Sequence, residues 1–171
     1  MKNWDDYFFD ICEVVGSKSK DLSTHVGCVI VGPAHEIRST GFNGFPSGVE
    51  DDLDNFPERY KRPEKYVWTE HSERNAIYLA ARHGVSLVDC TIYLTWMPCA
   101  ECARAIIQSG IQRVKVLAYD PQDAITYPMF RFDVTLMMFE EAGISVQVKQ
   151  KLKKGDTHDK NVSVDQTDEL R

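Results

Sequence analysis

The stretch CTIYLTWMPCAECARAIIQSGIQRV (90–114) constrains the fold more than any other part of the chain. It opens on a short apolar run, 90–95, that reads as a buried strand. Pro98 then begins a helical pattern, 98–109, that stops at Gly110, matching the preference for proline at helix starts and glycine past helix ends. A second apolar run, RVKVLAY (113–119), follows at once. A strand, a helix and a strand in such close order are best joined by a right-handed crossover between parallel neighbours. The same alternation repeats through DVTLMMFEEAG (133–143) and ISVQV (144–148).

Upstream, Trp4, Phe8, Ile11, Cys12 and Val15 fall at helical spacing. VGCVIVG (26–32) and HEIRSTGFN (35–43) read as a hairpin turning at Gly32–Pro33. A helix from His71 to about His83 ends at Gly84, a natural residue for the position past a helix end. The element order predicts an α/β domain of layered αβα type over residues 1–150, with a mixed five-stranded sheet. With 171 residues and 43% hydrophobic content, such a domain buries a core without disulfide or metal staples. Two segments stand outside this scheme. GFPSGVEDDLDNFPERYKRPEKY (44–66) is rich in Gly, Pro and charge and reads as a long loop, and loops of that length are usually functional or disordered. The charged tail, 151–171, has almost no large apolar residues and is expected to be mobile.

Two short motifs carry chemistry. Pro98 places Cys99 and Cys102 at a helix N-terminus, one turn apart on one face. Unpaired backbone N–H groups there stabilise thiolates. His71 starts the other helix, with Glu73 two residues on. His71, Cys99 and Cys102 supply three ligands of the type zinc prefers, which leaves a fourth position for water, the mark of a catalytic rather than a structural site. Zinc lowers the pKa of such a water to about 7, and an adjacent Glu73 can move protons. A lone Cys-x-x-Cys is more often structural zinc, and a structural-zinc interaction module is the non-enzyme alternative. That module needs a fourth ligand, and the nearest candidates, Cys90 and His83, are not at ligand spacing. His-x-Glu followed by Pro-Cys-x-x-Cys on successive helices is the pattern of zinc-dependent nucleobase deaminases.

Charge and cysteine usage narrow the setting. A net charge of −6 weighs against a nucleic-acid polymer as partner, yet it allows a nucleotide monomer held by a local pocket. The N-terminus, MKNWDDYFFD, lacks the apolar run of a secretory signal, and no segment approaches the roughly 18 apolar residues of a membrane span. Five cysteines then read as reduced thiols in a cytoplasmic protein, with Cys12, Cys28 and Cys90 as small buried hydrophobes.

The segments SKDLSTHVGCVIVG (19–32), GFNGFPSGVEDD (41–52), EHSERNAI (70–77) and 90–114 together resemble the cytidine and deoxycytidylate deaminase family, nearest its deoxycytidylate branch. The resemblance implies a cytidine-deaminase-like fold and one catalytic Zn2+ held by His71, Cys99 and Cys102. It implies hydrolysis of dCMP to dUMP and ammonia, feeding thymidylate synthesis, with Glu73 as proton shuttle. Asn43 is then expected at the deoxyribose 3′-hydroxyl, and backbone groups around Ser72 and Pro98 at the base edge. Homohexamers, activation by dCTP and inhibition by dTTP are further implications, with the effector site in the long loop. There Gly44 and Phe45 are candidates, and Glu50, Asp51 and Asp52 could hold the Mg2+ of a triphosphate. Lys20, Arg59 and Arg62 are candidates for the 5′-phosphate, and Tyr119 and Phe45 for stacking on base or sugar; ordinary solvated charge and packing are the alternatives. Another cytosine nucleotide (dCTP, CMP, 5-substituted dCMP) or a nucleic acid stays open as substrate. The chain departs from the family pattern at Ser72, where Ala is usual, at Leu22 and His25, and at the insertion-like ITYPMFRFD (125–133).

Overall fold

The computed structural model describes residues 1–120, 122–149 and 161–162. In chain order the elements are α1 (Trp4–Gly16), β1 (Gly27–Val31), β2 (Ile37–Phe42), α2 (Lys65–Trp68), α3 (Ser72–Arg82), β3 (Thr91–Trp96), α4 (Ala100–Gln108), β4 (Arg113–Ala118), α5 (Gln122–Thr126), α6 (Phe132–Glu141), β5 (Ser145–Lys149) and β6 (Asn161–Val162). The strands form one mixed sheet in the order β2-β1-β3-β4-β5-β6. β1 pairs antiparallel with both β2 and β3, whereas β3, β4 and β5 run parallel, as the two crossovers require. The five expected strands form the body of the sheet, and the two-residue β6 adds an antiparallel edge beside β5. The rest of the 151–171 tail lies outside the described residues.

Side-chain alternation sorts the core into two layers. Cys28, Ile30, Ile92, Leu94, Val114 and Val116 point to one face of the sheet, where they pack with Ala76 and Ala80 of α3, Ala103 and Ile106 of α4, and Phe132 and Phe139 of α6. Val29, Val31 and Tyr93 point to the other, beneath Phe8, Phe9 and Cys12 of α1. β1 is buried at all five positions, which explains its unbroken apolar run. Cys12, Cys28 and Cys90 are fully buried, as the sequence suggests.

Two features set the starts of α3 and α4. Gly41 of β2 lies so close to α3 that a Cβ there would come within 2.2 Å of the Ser72 carbonyl oxygen. Only glycine permits that approach. Just beyond, Gly44 and Glu70 exchange both backbone hydrogen bonds, which fixes the residue before His71. At α4 the helix begins two residues later than the sequence suggests: Cys99 is the N-cap in extended conformation, and Pro98 precedes it. The buried Thr135 hydroxyl of α6 donates to the Pro98 carbonyl at 3.1 Å and holds that turn.

A candidate metal centre at two helix starts

His71 and Cys99 occupy equivalent places as the N-caps of α3 and α4, both with extended backbone. Neither side chain caps its own helix. Both are instead turned toward each other, with Cys99 Sγ 3.5 Å from His71 Nδ1. Cys102, one turn into α4, brings its Sγ to 3.5 Å from the same nitrogen. The three ligand atoms lie within 4.8 Å of one another, and among the described residues this is the group of three or more His, Cys, Asp or Glu side chains that converges in this way. A tetrahedral ion with Zn–S near 2.3 Å and Zn–N near 2.0 Å requires S···N edges of about 3.5 Å. The donor types and their spacing therefore fit zinc. The carboxylates of Glu50, Asp51 and Asp52 form no comparable group.

The electrostatics favour a cation at this point. The hydrogen bond from Cys102 draws the Cys99 pKa down to about 4; burial opposes the shift, and His71 and the Cys102 backbone N–H at the helix start reinforce it. The same Cys99–Cys102 contact, with burial, pushes the Cys102 thiol up. Burial lowers the His71 pKa, but its hydrogen bond to Cys99 prevails and the net shift is upward. Arg74 of α3 fastens the two ligand segments together. Its guanidinium pairs with Glu70, next to His71, and with Glu101, between the two cysteines, at 2.6 Å.

Glu73 is 4% exposed, and desolvation raises its pKa. The Ser72 hydroxyl donates to Glu73 Oε2 at 2.8 Å, so the serine at this position is tied to the carboxylate. Both residues line a cavity together with His71 and Cys99.

Asn43 also lines the cavity, and its φ is not positive. It is buried, its Oδ1 accepting from Val26 N at 2.8 Å and its Nδ2 donating to the Thr24 carbonyl at 2.9 Å. An Asn amide in this position keeps one N–H and one lone pair for a ligand.

Other sequence candidates lie elsewhere. Lys20 is an exposed residue paired with Asp51 and does not line the cavity. Tyr119 packs edge-on against Phe132, with ring centroids 5.8 Å apart, and does not line it either. Pro98 stands just behind the wall, between the lining residues Met97 and Cys99. Phe45 stacks on Tyr60, whose hydroxyl donates to the Asp51 carbonyl. Asp52 accepts from the backbone N–H groups of Asp54 and Asn55 in a local turn, and the Glu50 carbonyl accepts from Arg59. Gly44 serves the bridge to Glu70. These loop residues build the 44–66 segment itself.

The cavity's aromatic wall escapes the sequence reading. Tyr66, Trp96, Tyr127 and Phe130 line it, and Phe130 meets His71 edge-on at 5.8 Å. Tyr127 and Phe130 come from the segment that reads as an insertion. The signal that could have found them is a cluster of aromatics in a chain segment with no core periodicity. Lys65 is a further lining residue without a sequence signal. It is buried and paired with Asp21 at 2.7 Å, and Asp21 in turn holds the backbone N–H groups of Ser23 and Thr24.

The family model described as "Cytidine and deoxycytidylate deaminase zinc-binding region" matches residues 2–118. The chain belongs to this family. An uncharacterised deaminase of the luxG 3′ region of Aliivibrio fischeri is 41% identical over 149 residues, 85% of this chain and 93% of that protein. The deoxycytidylate deaminase of Homo sapiens is 32% identical over 144 residues, 81% of this chain and 79% of that one. A crystal structure of dCMP deaminase from the cyanophage S-TIM5, in complex with dCMP and dUMP, has the same fold, with a TM-score of 0.65 at 24% identity, covering 86% of this chain and 98% of that one. Among the described residues of this protein, no helix is long and apolar enough to cross a membrane.

Proposed function

We propose that this deaminase hydrolyses dCMP to dUMP and ammonia. The observation that carries the reading is one cavity shared by His71, Cys99, Glu73 and Asn43, in a chain whose relatives include named deoxycytidylate deaminases. His71, Cys99 and Cys102 hold Zn2+, which when bound supplies a Lewis acid able to bring the pKa of water to about 7. Glu73 accepts the proton of the attacking water and delivers it to N3 of the cytosine as C4 becomes tetrahedral. It then takes the proton of the new C4 hydroxyl and passes it to the exocyclic amine, which leaves as ammonia as the C4 carbonyl forms. Its raised pKa suits a group that alternates between the two protonation states. The Ser72 hydroxyl orients the carboxylate, and Asn43 receives the sugar hydroxyl through its spare amide valences. Phe130 and Trp96 provide the apolar wall for the pyrimidine.

The same reading extends to a role in supplying dUMP for thymidylate synthesis, to hexameric assembly, and to control by dCTP and dTTP with Mg2+ carried on the triphosphate. These extensions rest on the family resemblance. A sigmoidal velocity curve for dCMP that dCTP straightens would support them.

The central test is ammonia release from a panel of dCMP, CMP, dCTP and deoxycytidine by zinc-loaded protein. The expected result is a kcat/KM highest for dCMP and lost on chelation. A preference for another nucleotide overturns the substrate, and full activity in metal-free protein overturns the site.

A further inference from the structure

The cavity is lined by two cations, Arg62 and Lys65, and they are in opposite states. Lys65 is spent. Its ammonium has three N–H donors, and they go to Asp21 Oδ2 at 2.7 Å, Asp21 Oδ1 at 3.0 Å and Ser23 Oγ at 2.8 Å. Arg62 is exposed, and among the described residues it has no ion pair or hydrogen bond to a carboxylate. Its guanidinium carbon lies 5.7 Å from the Tyr127 ring centroid and 6.0 Å from that of Tyr66. Rings at this distance attract the cation without consuming its N–H groups. Two nearby cations are engaged elsewhere. Arg59 lies 4.0 Å from both the Phe56 and Trp68 rings and donates to the Glu50 carbonyl, and Lys20 is paired with Asp51.

We propose that Arg62 is the residue that binds the 5′-phosphate and makes the site select a nucleoside monophosphate over a nucleoside. This rests on the substrate reading above and adds the group that reads the phosphate. The reacting atoms lie at the buried end of the cavity beside Glu73, and Arg62 stands at its exposed rim. A cytosine nucleotide placed base-inward therefore presents its phosphate to the rim. A guanidinium beside aromatic rings keeps its N–H groups, and these form a fork that matches two phosphate oxygens. Tyr127 and Tyr66 line the same cavity as Arg62 and lie within cation–π reach of its guanidinium.

The test compares parent, Arg62→Gln and Arg62→Lys proteins by titration calorimetry with dUMP and with deoxyuridine, and by kcat/KM on dCMP and deoxycytidine. Zinc content and thermal unfolding establish that each variant is folded. Arg62→Gln is expected to weaken dUMP binding by about 10- to 100-fold, the scale of a charge-assisted hydrogen-bond pair, with deoxyuridine within about twofold. Arg62→Lys is expected between the two, because it keeps the charge and loses the fork. Unchanged dUMP affinity in Arg62→Gln, or equal losses for dUMP and deoxyuridine, overturns the assignment. Binding is read without turnover, so the two proposals fail separately. Arg62-dependent dUMP binding in a protein that releases no ammonia from dCMP sinks the substrate and keeps the phosphate ligand. Parent-like dCMP turnover by Arg62→Gln at subsaturating substrate does the reverse.

Discussion

The floor and the roof of the cavity are built on different principles. The floor comes from two helix starts: His71 and Glu73 at α3, Cys99 and Cys102 at α4. Its members are set by spacing within one turn, then locked by Arg74 and by the hydroxyl of Thr135. The roof comes from Tyr66 of the short α2 and from Tyr127 and Phe130 between α5 and α6, meeting across 6.1 Å at the Tyr66–Phe130 edge. The two parts suit different tasks: rigid helix starts can hold reacting groups to a fraction of an ångström, and packed aromatic loops can shape a mouth. The floor should therefore control kcat, and the roof should control KM.

Glu73→Gln probes the floor with the largest expected effect. A loss of about 10²- to 10⁴-fold in kcat is expected, with zinc content unchanged by metal analysis. Near-normal turnover would falsify the proton-shuttle role.

The joint between the two parts is the buried Lys65–Asp21 pair. Lys65→Met strands a buried carboxylate and is expected to cost about 3–5 kcal/mol in chemical denaturation at neutral pH. The pH dependence has a definite sign. Burial raises the Asp21 pKa, but the hydrogen bonds from Lys65 and Ser23 prevail, and the folded value lies below the ordinary one. Its stabilisation of the parent is complete above the unfolded value of about 3.9 and is lost as pH falls through the lower folded value. The difference between parent and Lys65→Met should thus narrow as pH falls, first as the stranded carboxylate of the variant takes up a proton and then, below about pH 4, as the parent loses its own stabilisation. A constant difference across that range would separate Asp21 from the effect.

Phe130→Ala tests the roof. A rise of about tenfold in KM is expected from lost stacking, with kcat within about threefold. A fall in kcat as deep as that of Glu73→Gln would erase the division between floor and roof. Lys20→Ala belongs to neither part and should leave kcat/KM within about twofold, because its partner Asp51 is a solvated surface group. A larger change would draw the 19–21 segment into the site.

The amino-acid pattern alone was enough for the sheet order from β3 to β5 and for the identity of the floor. Cys99-x-x-Cys102 fixes its own geometry, since residues three apart at a helix start lie on one face, whereas His71 and Glu73, two apart, are brought to one cavity by the fold. Even so, the exact caps needed the structure. Cys99 sits outside α4 because its extended backbone turns the sulfur toward His71 instead of along the helix.

The roof and the different partners of the cations were decided only by tertiary structure. Tyr66 and Phe130 carry no mutual signal in the sequence, because their meeting depends on how the segments before α3 and α6 come together in the fold. Lys20, Lys65, Arg59 and Arg62 are chemically alike as letters. What separates them is where the chain leaves their partners: Asp51 in solvent beside Lys20, Asp21 buried against Lys65, aromatic rings across Arg59, and only the Tyr66 and Tyr127 rings beside Arg62 among the described residues. Local spacing is a property of the chain, whereas the neutralisation of a charge is a property of the packed fold.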